Sequence, residues 1–189
     1  MAYIEKGALR YNRLESDISS VDSLRIALGS DERSHLTDYL ERELRERGFQ
    51  VDLFGSLGHD MPAGAYPWPD VAREVAERVS MGQADEGVLL CWTGTGVCIA
   101  ANKVSGVRAA LCWDAETARG ARAWNRANVL CLSLRATSEP VAREILGAWF
   151  SASPDPSEEP NIRKLEQMDD RYRQGVTAGA PVQREKGRV

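Results

Sequence analysis

The chain has 189 residues, of which 43% are hydrophobic and 28% charged, a size and composition that suit one globular domain with short appendages. The net charge of −4 and the lack of a basic run argue against a general nucleic-acid-binding protein. No apolar stretch approaches the roughly 20 residues that a membrane span needs, and the N-terminus lacks the pattern of a secretory signal peptide. We therefore expect a cytoplasmic protein with neither a membrane nor a nucleic acid as partner.

Four cysteines are present, and none forms a CxxC pair: Cys91, Cys98, Cys112 and Cys131. This spacing supports neither a zinc site nor a disulfide framework. We predict that the thiols are reduced, that no metal is bound, and that the last three cysteines belong to the core.

Apolar strand-like segments alternate with helical patterns along the middle of the chain. The predicted strands cover residues 24–29, 49–54, 88–91, 108–112 and 129–132. The first helix carries Leu36, Leu40 and Leu44 at four-residue spacing and ends at Arg47-Gly48. Further helices are predicted at 71–82, from Val97, at 117–126 and from Pro140 to Phe150. This alternation predicts a doubly wound parallel sheet of about five strands, a Rossmann-like αβα sandwich.

The flanking segments differ from this domain in composition. We expect an N-terminal extension at 1–23, the α/β domain at 24–152, a linker and C-terminal helix at 153–173, and a disordered tail at 174–189. Within the domain, residues 55–69 are rich in Gly and Pro, which predicts a long loop that serves as a lid or as the rim of a site.

Residues 88–103, VLLCWTGTGVCIAANK, form the most informative stretch. A buried strand runs through a glycine-rich turn into a helix, so backbone N–H groups and the positive helix end point at one spot. Either a phosphate or an enolate oxygen would be stabilised there. Cys91 lies at the carboxyl end of the strand, where open α/β sheets bind their ligands, and is a candidate nucleophile or base. A dinucleotide site is a poor alternative because the third glycine of that fingerprint is missing.

The chain from Leu24 to about Met168 resembles the ribose-5-phosphate isomerase type B family, which includes the galactose-6-phosphate isomerase subunits. Residues 91–96 followed by 99–103 (Ile-Ala-Ala-Asn-Lys) are similar to the family's CGTGxG…IAANK block. Shorter matches are Gly29-Ser30-Asp31, residues 106–109, and residues 128–130 with Arg135. The cysteine block together with IAANK is specific, whereas each short match alone is weak.

The resemblance implies an aldose–ketose isomerase that works through a cis-enediolate without cofactor or metal. It also implies a homodimer or homotetramer with active sites at a subunit interface. Cys91 would be the base, and the positive end of the following helix would favour its thiolate. The other implied catalytic groups, which hold the oxyanion, are Thr93, Gly94, Thr95 and Gly96. Asp31 would contact sugar hydroxyls, and Arg135 would help to bind the phosphate.

Three family positions differ here. Glu32 replaces a histidine that helps to bind phosphate, and Trp124-Asn125 replaces a His-Asn pair whose histidine assists ring opening. Near the family's C-terminal basic pair only Arg163 and Lys164 remain as candidates. Loss of a general acid typically costs about 10²–10⁴ in rate for the step it serves. We therefore predict a sugar or sugar-phosphate substrate other than ribose 5-phosphate.

Trp92, where relatives have glycine, either narrows the pocket or simply packs. The predicted substrate-binding set is Asp31, Glu32, Trp92, Asn125, Arg135 and Arg163. The alternative is a family member that has lost catalysis and acts as a sugar-binding or regulatory protein. The intact Cys91 block favours catalysis, whereas Glu32 and Trp124 indicate divergence.

Overall fold

The computed structural model describes residues 23–58 and 66–173, which form a five-stranded parallel sheet in the order β2-β1-β3-β5-β4. The strands are β1 (Arg25–Ser30), β2 (Gln50–Gly55), β3 (Glu86–Cys91), β4 (Ala109–Leu111) and β5 (Val129–Ser133). The helices are α1 (His35–Glu46), α2 (Trp68–Ser80), α3 (Thr95–Ala101), α4 (Ala115–Asn125), α5 (Glu139–Ser151) and α6 (Glu159–Arg173), with a 3-10 turn at Pro156–Glu158. The predicted doubly wound αβα fold is confirmed.

Alternate residues of the central strands face two separate apolar layers, as the two-residue period of a strand requires. Val88 and Leu90 of β3 face α1, α4 and α5, whereas Leu89 and Cys91 face α2 and α3. The near-continuous burial of β3 and β5 follows from this covering of both faces. Cys91 therefore ends a strand whose position is fixed by packing on both sides.

Several boundaries differ from those predicted, each for a local reason. α3 begins at Thr95 rather than Val97, because Gly94 adopts a left-handed conformation (φ 75°) and caps the helix. α2 begins at Trp68, inside the loop predicted at 55–69. The first part of the predicted linker and helix at 153–173 contains the 3-10 turn and the start of α6, and Asp155 N–H anchors it to Ala123 O at 2.8 Å.

Some predictions fall outside the described residues. These are the N-terminal extension, except for its last residue, and the tail at 174–189, together with residues 59–65 of the predicted loop. Among the helices that the structure does describe, none combines the length and apolar character needed to cross a membrane.

A buried polar network ties α4 and α5 to the first residue of β3. Glu86 and Arg122 are 7% and 9% exposed, and their side chains form an ion pair at 2.5 Å. The Trp149 indole N–H donates to the second Glu86 oxygen, and the guanidinium lies over the Trp149 ring. Burial raises the pKa of Glu86 despite these partners. The three side chains thus depend on one another for hydrogen bonds that water would otherwise supply.

α6 packs beside the N-terminal edge of the sheet, the end at which the strands begin. Its one buried apolar residue, Ile162, is 1% exposed. The Asp169 carboxylate accepts from the Ser105 hydroxyl and the Gly106 N–H, both at 2.7 Å, in the loop that precedes β4. α6 therefore lies at the end of the sheet opposite to Cys91.

Candidate active site

A crevice at the C-terminal edge of the sheet follows from the strand order. The chain passes from β1 outward to β2 and then crosses back to β3 on the other side of β1. Loops on opposite sides of such a switch point separate and leave room for a ligand. Ser30 pairs with Leu90, and Cys91 pairs with Ser133, so Asp31, Cys91 and Ser133 form one row across this edge. Neighbours in this row lie about 5 Å apart, the spacing of paired strands.

Cys91 is held firmly in this row. Its carbonyl oxygen accepts from Gly94 N–H at 3.2 Å and from Leu134 N–H at 3.0 Å, which joins β3 to its own turn and to the chain after β5. The residue is 6% exposed and packs in the layer that contains α2 and α3. Cys91 thus lies, nearly buried, at the edge of the sheet where the strand order predicts a crevice.

The turn after Cys91 presents backbone donors. The first-turn amides of α3, at Thr95, Gly96 and Val97, have no acceptor within the helix. The Gly94 amide, which we predicted as an oxyanion donor, instead donates to Cys91 O. The hydroxyls of Thr93 and Thr95 are hydrogen-bonded at 2.6 Å. The donors available to a ligand are therefore those of Thr95 and Gly96, with Val97 in place of Gly94.

Gly94 itself has a conformational role, which we expect a Gly94→Ala variant to reveal. A left-handed φ costs a non-glycine residue about 1–2 kcal/mol, and a Cβ here would lie 2.8 Å from Leu132 O and 2.6 Å from Leu111 Cδ1. Overpacking adds about 1–3 kcal/mol. Urea unfolding should therefore show a loss of about 2–5 kcal/mol in the free energy of unfolding.

Gly82→Ala is the matched control for this variant. Gly82 also has a positive φ (68°), but a Cβ there would have no atom within 4 Å. Its substitution should cost only the backbone strain of about 1–2 kcal/mol. Equal losses for the two variants would show that the Gly94 turn is not sterically restricted.

Asp31 contributes a carboxylate from the end of β1. Burial raises the pKa of Asp31, and the neighbouring Glu32 charge adds to this rise. Its Oδ1 is buried and has no hydrogen-bond partner among the described residues. Ser56 Oγ donates to the Asp31 backbone carbonyl at 2.7 Å and fixes the residue in place. A desolvated oxygen without a donor gains free energy from any hydroxyl that reaches it.

Glu32 lies beside Asp31 at the same edge and adds a second negative charge. Arg33 does not offset it directly, because its guanidinium donates to Asp38 and to Leu57 O, both at 2.9 Å. The β1 side of the crevice is therefore acidic. An anionic group of a ligand would be disfavoured there.

Arg135 lies on the opposite, β5 side. Its backbone N–H donates to Trp92 O at 3.1 Å, and Ser133 Oγ donates to the same carbonyl at 2.9 Å. The side chain of Arg135 is exposed, and the Trp92 side chain is 59% exposed. The structure thus brings Arg135 and Trp92 to the edge that carries Cys91.

Trp68 is a residue of this region that our reasoning from the sequence missed. Its ring lies against Gly96, where a Cβ would be 3.1–3.3 Å from three indole atoms. The ring is 43% exposed, so its free part borders the crevice. The available signal was its place in a Pro-Trp-Pro segment at the end of the loop predicted as a rim.

Two predicted substrate-binding residues lie at the other end of the sheet. Asn125 ends α4 just before β5 begins, and Arg163 lies on α6, paired with Glu159 at 3.2 Å. Trp124, beside Asn125, lies against Gly120 of its own helix. β5 has five residues, so about 16 Å of strand separates the two edges. One chain alone does not combine these residues with Cys91.

Comparison with known proteins gives the class of enzyme. Relatives named as sugar-phosphate isomerases, together with the structural neighbours, show that the chain is an aldose–ketose isomerase. The model of the Ribose/Galactose Isomerase family matches residues 26–168, and the chain belongs to this family. The predicted family and class of reaction are confirmed.

The match to this chain covers most of the length of each relative compared below. D-erythrulose-4-phosphate isomerase of Pectobacterium atrosepticum is 41% identical over 135 residues, which is 68% of this chain and 84% of the relative. Ribose-5-phosphate isomerase B of Escherichia coli is 36% identical over 132 residues, with the same coverage. The structure of ribose-5-phosphate isomerase B from Clostridium thermocellum has a TM-score of 0.72 and 32% identity, and the match covers 79% of this chain and 99% of that one.

Proposed function

We propose that this enzyme interconverts a four-carbon ketose phosphate, D-erythrulose 4-phosphate, and the corresponding aldose phosphate. The observation that carries this proposal is the 41% identity to an erythrulose-4-phosphate isomerase. A second relative of that name, from Mycolicibacterium smegmatis, is 34% identical over 137 residues. Both identities are higher than a shared fold alone requires. The substrate of these two relatives also explains one position at which this sequence departs from the wider family.

That departure is Trp124, which stands where the resemblance expects a ring-opening histidine. A pentose 5-phosphate has a free hydroxyl on C4 and closes into a five-membered ring. A tetrose 4-phosphate carries its phosphate on that oxygen and cannot form this ring. An enzyme for the shorter sugar therefore needs no general acid for ring opening, and tryptophan is tolerated.

The proposed reaction uses Cys91 as the base. Its thiolate takes a proton from C1 of the ketose, and the electron pair moves onto the C2 oxygen to give a cis-enediolate. The amides of Thr95 and Gly96 donate to this oxygen, and one such donor is worth about 2.7–4 kcal/mol in the transition state. The thiol returns the proton to C2 while the O1 proton moves to O2, which gives the aldose without net loss of atoms. Thr93 supports the turn through Thr95.

The remaining groups orient the substrate in this proposal. Asp31 Oδ1, buried and without a donor in the described residues, accepts from a sugar hydroxyl. The phosphate lies toward Arg135, because Glu32 and Asp31 make the other side acidic. A charge-assisted hydrogen bond to phosphate contributes about 1.5–3 kcal/mol. Trp92 and Trp68 limit the length of the sugar that fits.

We further propose a homodimer or homotetramer in which each site spans two copies. The positions of Asn125 and Arg163, at the edge away from Cys91, support this arrangement, since a second copy is needed to bring them to the substrate. Trp92 and Trp113, 59% and 66% exposed, supply apolar area at the C-terminal edge. Buried aromatic side chains are common anchors of such interfaces.

The proposal also covers the location of the enzyme in the cell, its need for cofactors and its domain boundaries. We propose a cytoplasmic enzyme that needs no cofactor or metal, with thiol and amides supplying base and oxyanion stabilisation. Among residues 23–58 and 66–173, no three His, Cys, Asp or Glu side chains are grouped to hold a metal ion. The isomerase domain is assigned to residues 24–152, followed by the linker and helix at 153–173.

A comparison of substrates tests the proposed function. With purified enzyme, kcat/KM for D-erythrulose 4-phosphate should exceed that for ribose 5-phosphate by about 10²-fold or more, the cost of lacking a ring-opening acid. Deuterium uptake from D₂O into the sugar should accompany turnover. Comparable values for both sugars would overturn the substrate assignment. Absence of uptake with every sugar phosphate tested would instead favour the binding-protein alternative.

A further inference from the structure

The Trp68 indole lies flat on the first turn of α3. A Cβ at Gly96 would be 3.1 Å from Cε3 of the ring, 3.2 Å from Cδ2 and 3.3 Å from Cζ3. These three atoms are consecutive around the six-membered ring, with Cε3 in the middle. A point beyond the ring edge would be clearly closer to the middle atom than to its two neighbours. The nearly equal distances therefore place Gly96 over the face of the ring.

This ring, and not the backbone conformation, is what requires glycine at position 96. Gly96 is a helical residue of α3 and is not among the glycines with a positive φ. Alanine is normally preferred to glycine within a helix. Carbon atoms in favourable contact lie about 3.5–4.0 Å apart, so a Cβ here would be too close to the indole. The contact is thus tight enough for a movement of the ring to be felt by the helix.

The backbone of Trp68 is fixed to the sheet through α2. In the same turn of α2, Val71 lies against glycines in β1 and β2. A Cβ at Gly29 would be 2.8 Å from Val71 Cγ2, and one at Gly55 would be 2.6 Å from it. A proline precedes Trp68 and another follows it, which restricts the backbone on both sides. The ring therefore projects from a rigid part of the molecule.

We propose that Trp68 is a positioning residue for the oxyanion donors of the isomerase. Its ring closes the α2 side of the turn that begins α3, so the amides of Thr95 and Gly96 keep their direction into the crevice. Such donors stabilise a transition state because they are fixed before the reaction, and a misplacement of about 1 Å can cost about 10²-fold in rate. This role follows from the isomerase reaction and does not depend on which sugar phosphate is the substrate.

Trp68→Ala tests the role in catalysis, with the sugar phosphate that the unsubstituted enzyme converts best. We expect kcat to fall about 10-fold or more, part of the 10²–10³-fold that loss of an oxyanion donor costs. KM should stay within about threefold, because Asp31 and Arg135 still bind the substrate. Trp68→Phe should recover most of the lost kcat, since it restores a six-membered ring over Gly96. A higher KM with unchanged kcat would overturn the proposal.

Gly96→Ala tests the same contact from the side of α3. Alone, it should lower kcat about 10-fold, because the new methyl group displaces the turn from the ring. In the Trp68→Ala background it should lower kcat no further. There it should also raise the urea midpoint, since alanine favours the helix once the ring is gone. An equal loss of kcat in both backgrounds would show that the two residues act independently and would overturn the proposal.

Gly147→Ala is the matched control for these variants. Gly147 is a glycine within α5, and a Cβ there would have no atom within 4 Å. It should raise the urea midpoint whether or not Trp68 is present. Far-ultraviolet circular dichroism checks folding, and Trp68→Leu replaces Trp68→Ala if that variant does not fold.

The unfolding measurements use no sugar, so they separate this proposal from the proposed function. A Gly96→Ala substitution that raises the urea midpoint while Trp68 is present would show that the ring does not restrict position 96. That result would overturn the proposal whatever the substrate is. A lower midpoint with Trp68 and a higher one without it would support the contact on which the positioning role depends.

Discussion

Replacing Cys91 by alanine is expected to lower kcat for D-erythrulose 4-phosphate by about 10²–10⁴-fold, the usual contribution of a positioned general base. The side chain is small and lies at the end of β3, so the fold should be retained. KM should change little, because the amides of Thr95 and Gly96 and the Arg135 side chain still bind the substrate. Steady-state kinetics give kcat and KM. Deuterium uptake from D₂O gives the rate at which the sugar exchanges its proton.

Cys112→Ala is the control for this result, because it also removes a buried thiol but on the opposite face of the sheet. It should retain the kcat of the unsubstituted enzyme within about threefold, since it leaves the base in place. Deuterium uptake that persists in Cys91→Ala at the normal rate would remove Cys91 as the base. The search for another base would then begin with Asp31, its neighbour in the row.

Removing the Glu86 side chain is expected to cause the largest loss of stability. Glu86→Ala leaves the Arg122 guanidinium buried without its carboxylate and the Trp149 N–H without its acceptor. Breaking a buried ion pair by removing one partner costs about 3–5 kcal/mol. Urea unfolding monitored by far-ultraviolet circular dichroism should show this decrease in the free energy of unfolding.

Two further variants isolate the cause of the Glu86 effect. Glu41→Ala removes a carboxylate paired with Arg45 on the surface of α1, at 3.1 Å, and should cost at most about 1 kcal/mol. Glu86→Leu combined with Arg122→Met should recover the part of the loss that comes from the unpaired guanidinium, because apolar replacements of buried pairs are often neutral. The Trp149 N–H still lacks its acceptor in this variant. If Glu86→Ala costs no more than Glu41→Ala, the network is not a major source of stability.

α3 links several of these expectations. It begins at the turn set by the left-handed Gly94 and presents the amides of Thr95 and Gly96 to the crevice. Trp68 from α2 lies against its first turn at Gly96. A seven-residue helix with so many roles has little freedom to shift. We therefore expect Gly94→Ala to alter catalysis through the position of this helix.

The sequence alone determined the strands, the helices and the motif of residues 91–96. Strands and helices followed from apolar periods of two and near four residues, which are local properties of the chain. The block from Cys91 to Gly96 with residues 99–103 identified the family, because its chemistry lies within one continuous segment. The same locality explains why the start of α3 was misplaced by two residues. The hydrophobic pattern shows where a helix is amphipathic, but it does not show which residue caps the helix.

Only the tertiary structure decided which residues meet. The row Asp31, Cys91 and Ser133 depends on the strand order, which no local pattern encodes. Glu86 and Trp149 are 63 residues apart, and their hydrogen bond exists because α5 packs over the start of β3. The placement of Asn125 and Arg163 at the far edge has the same origin. Such pairings arise from the packing of whole elements, so their physical cause is non-local.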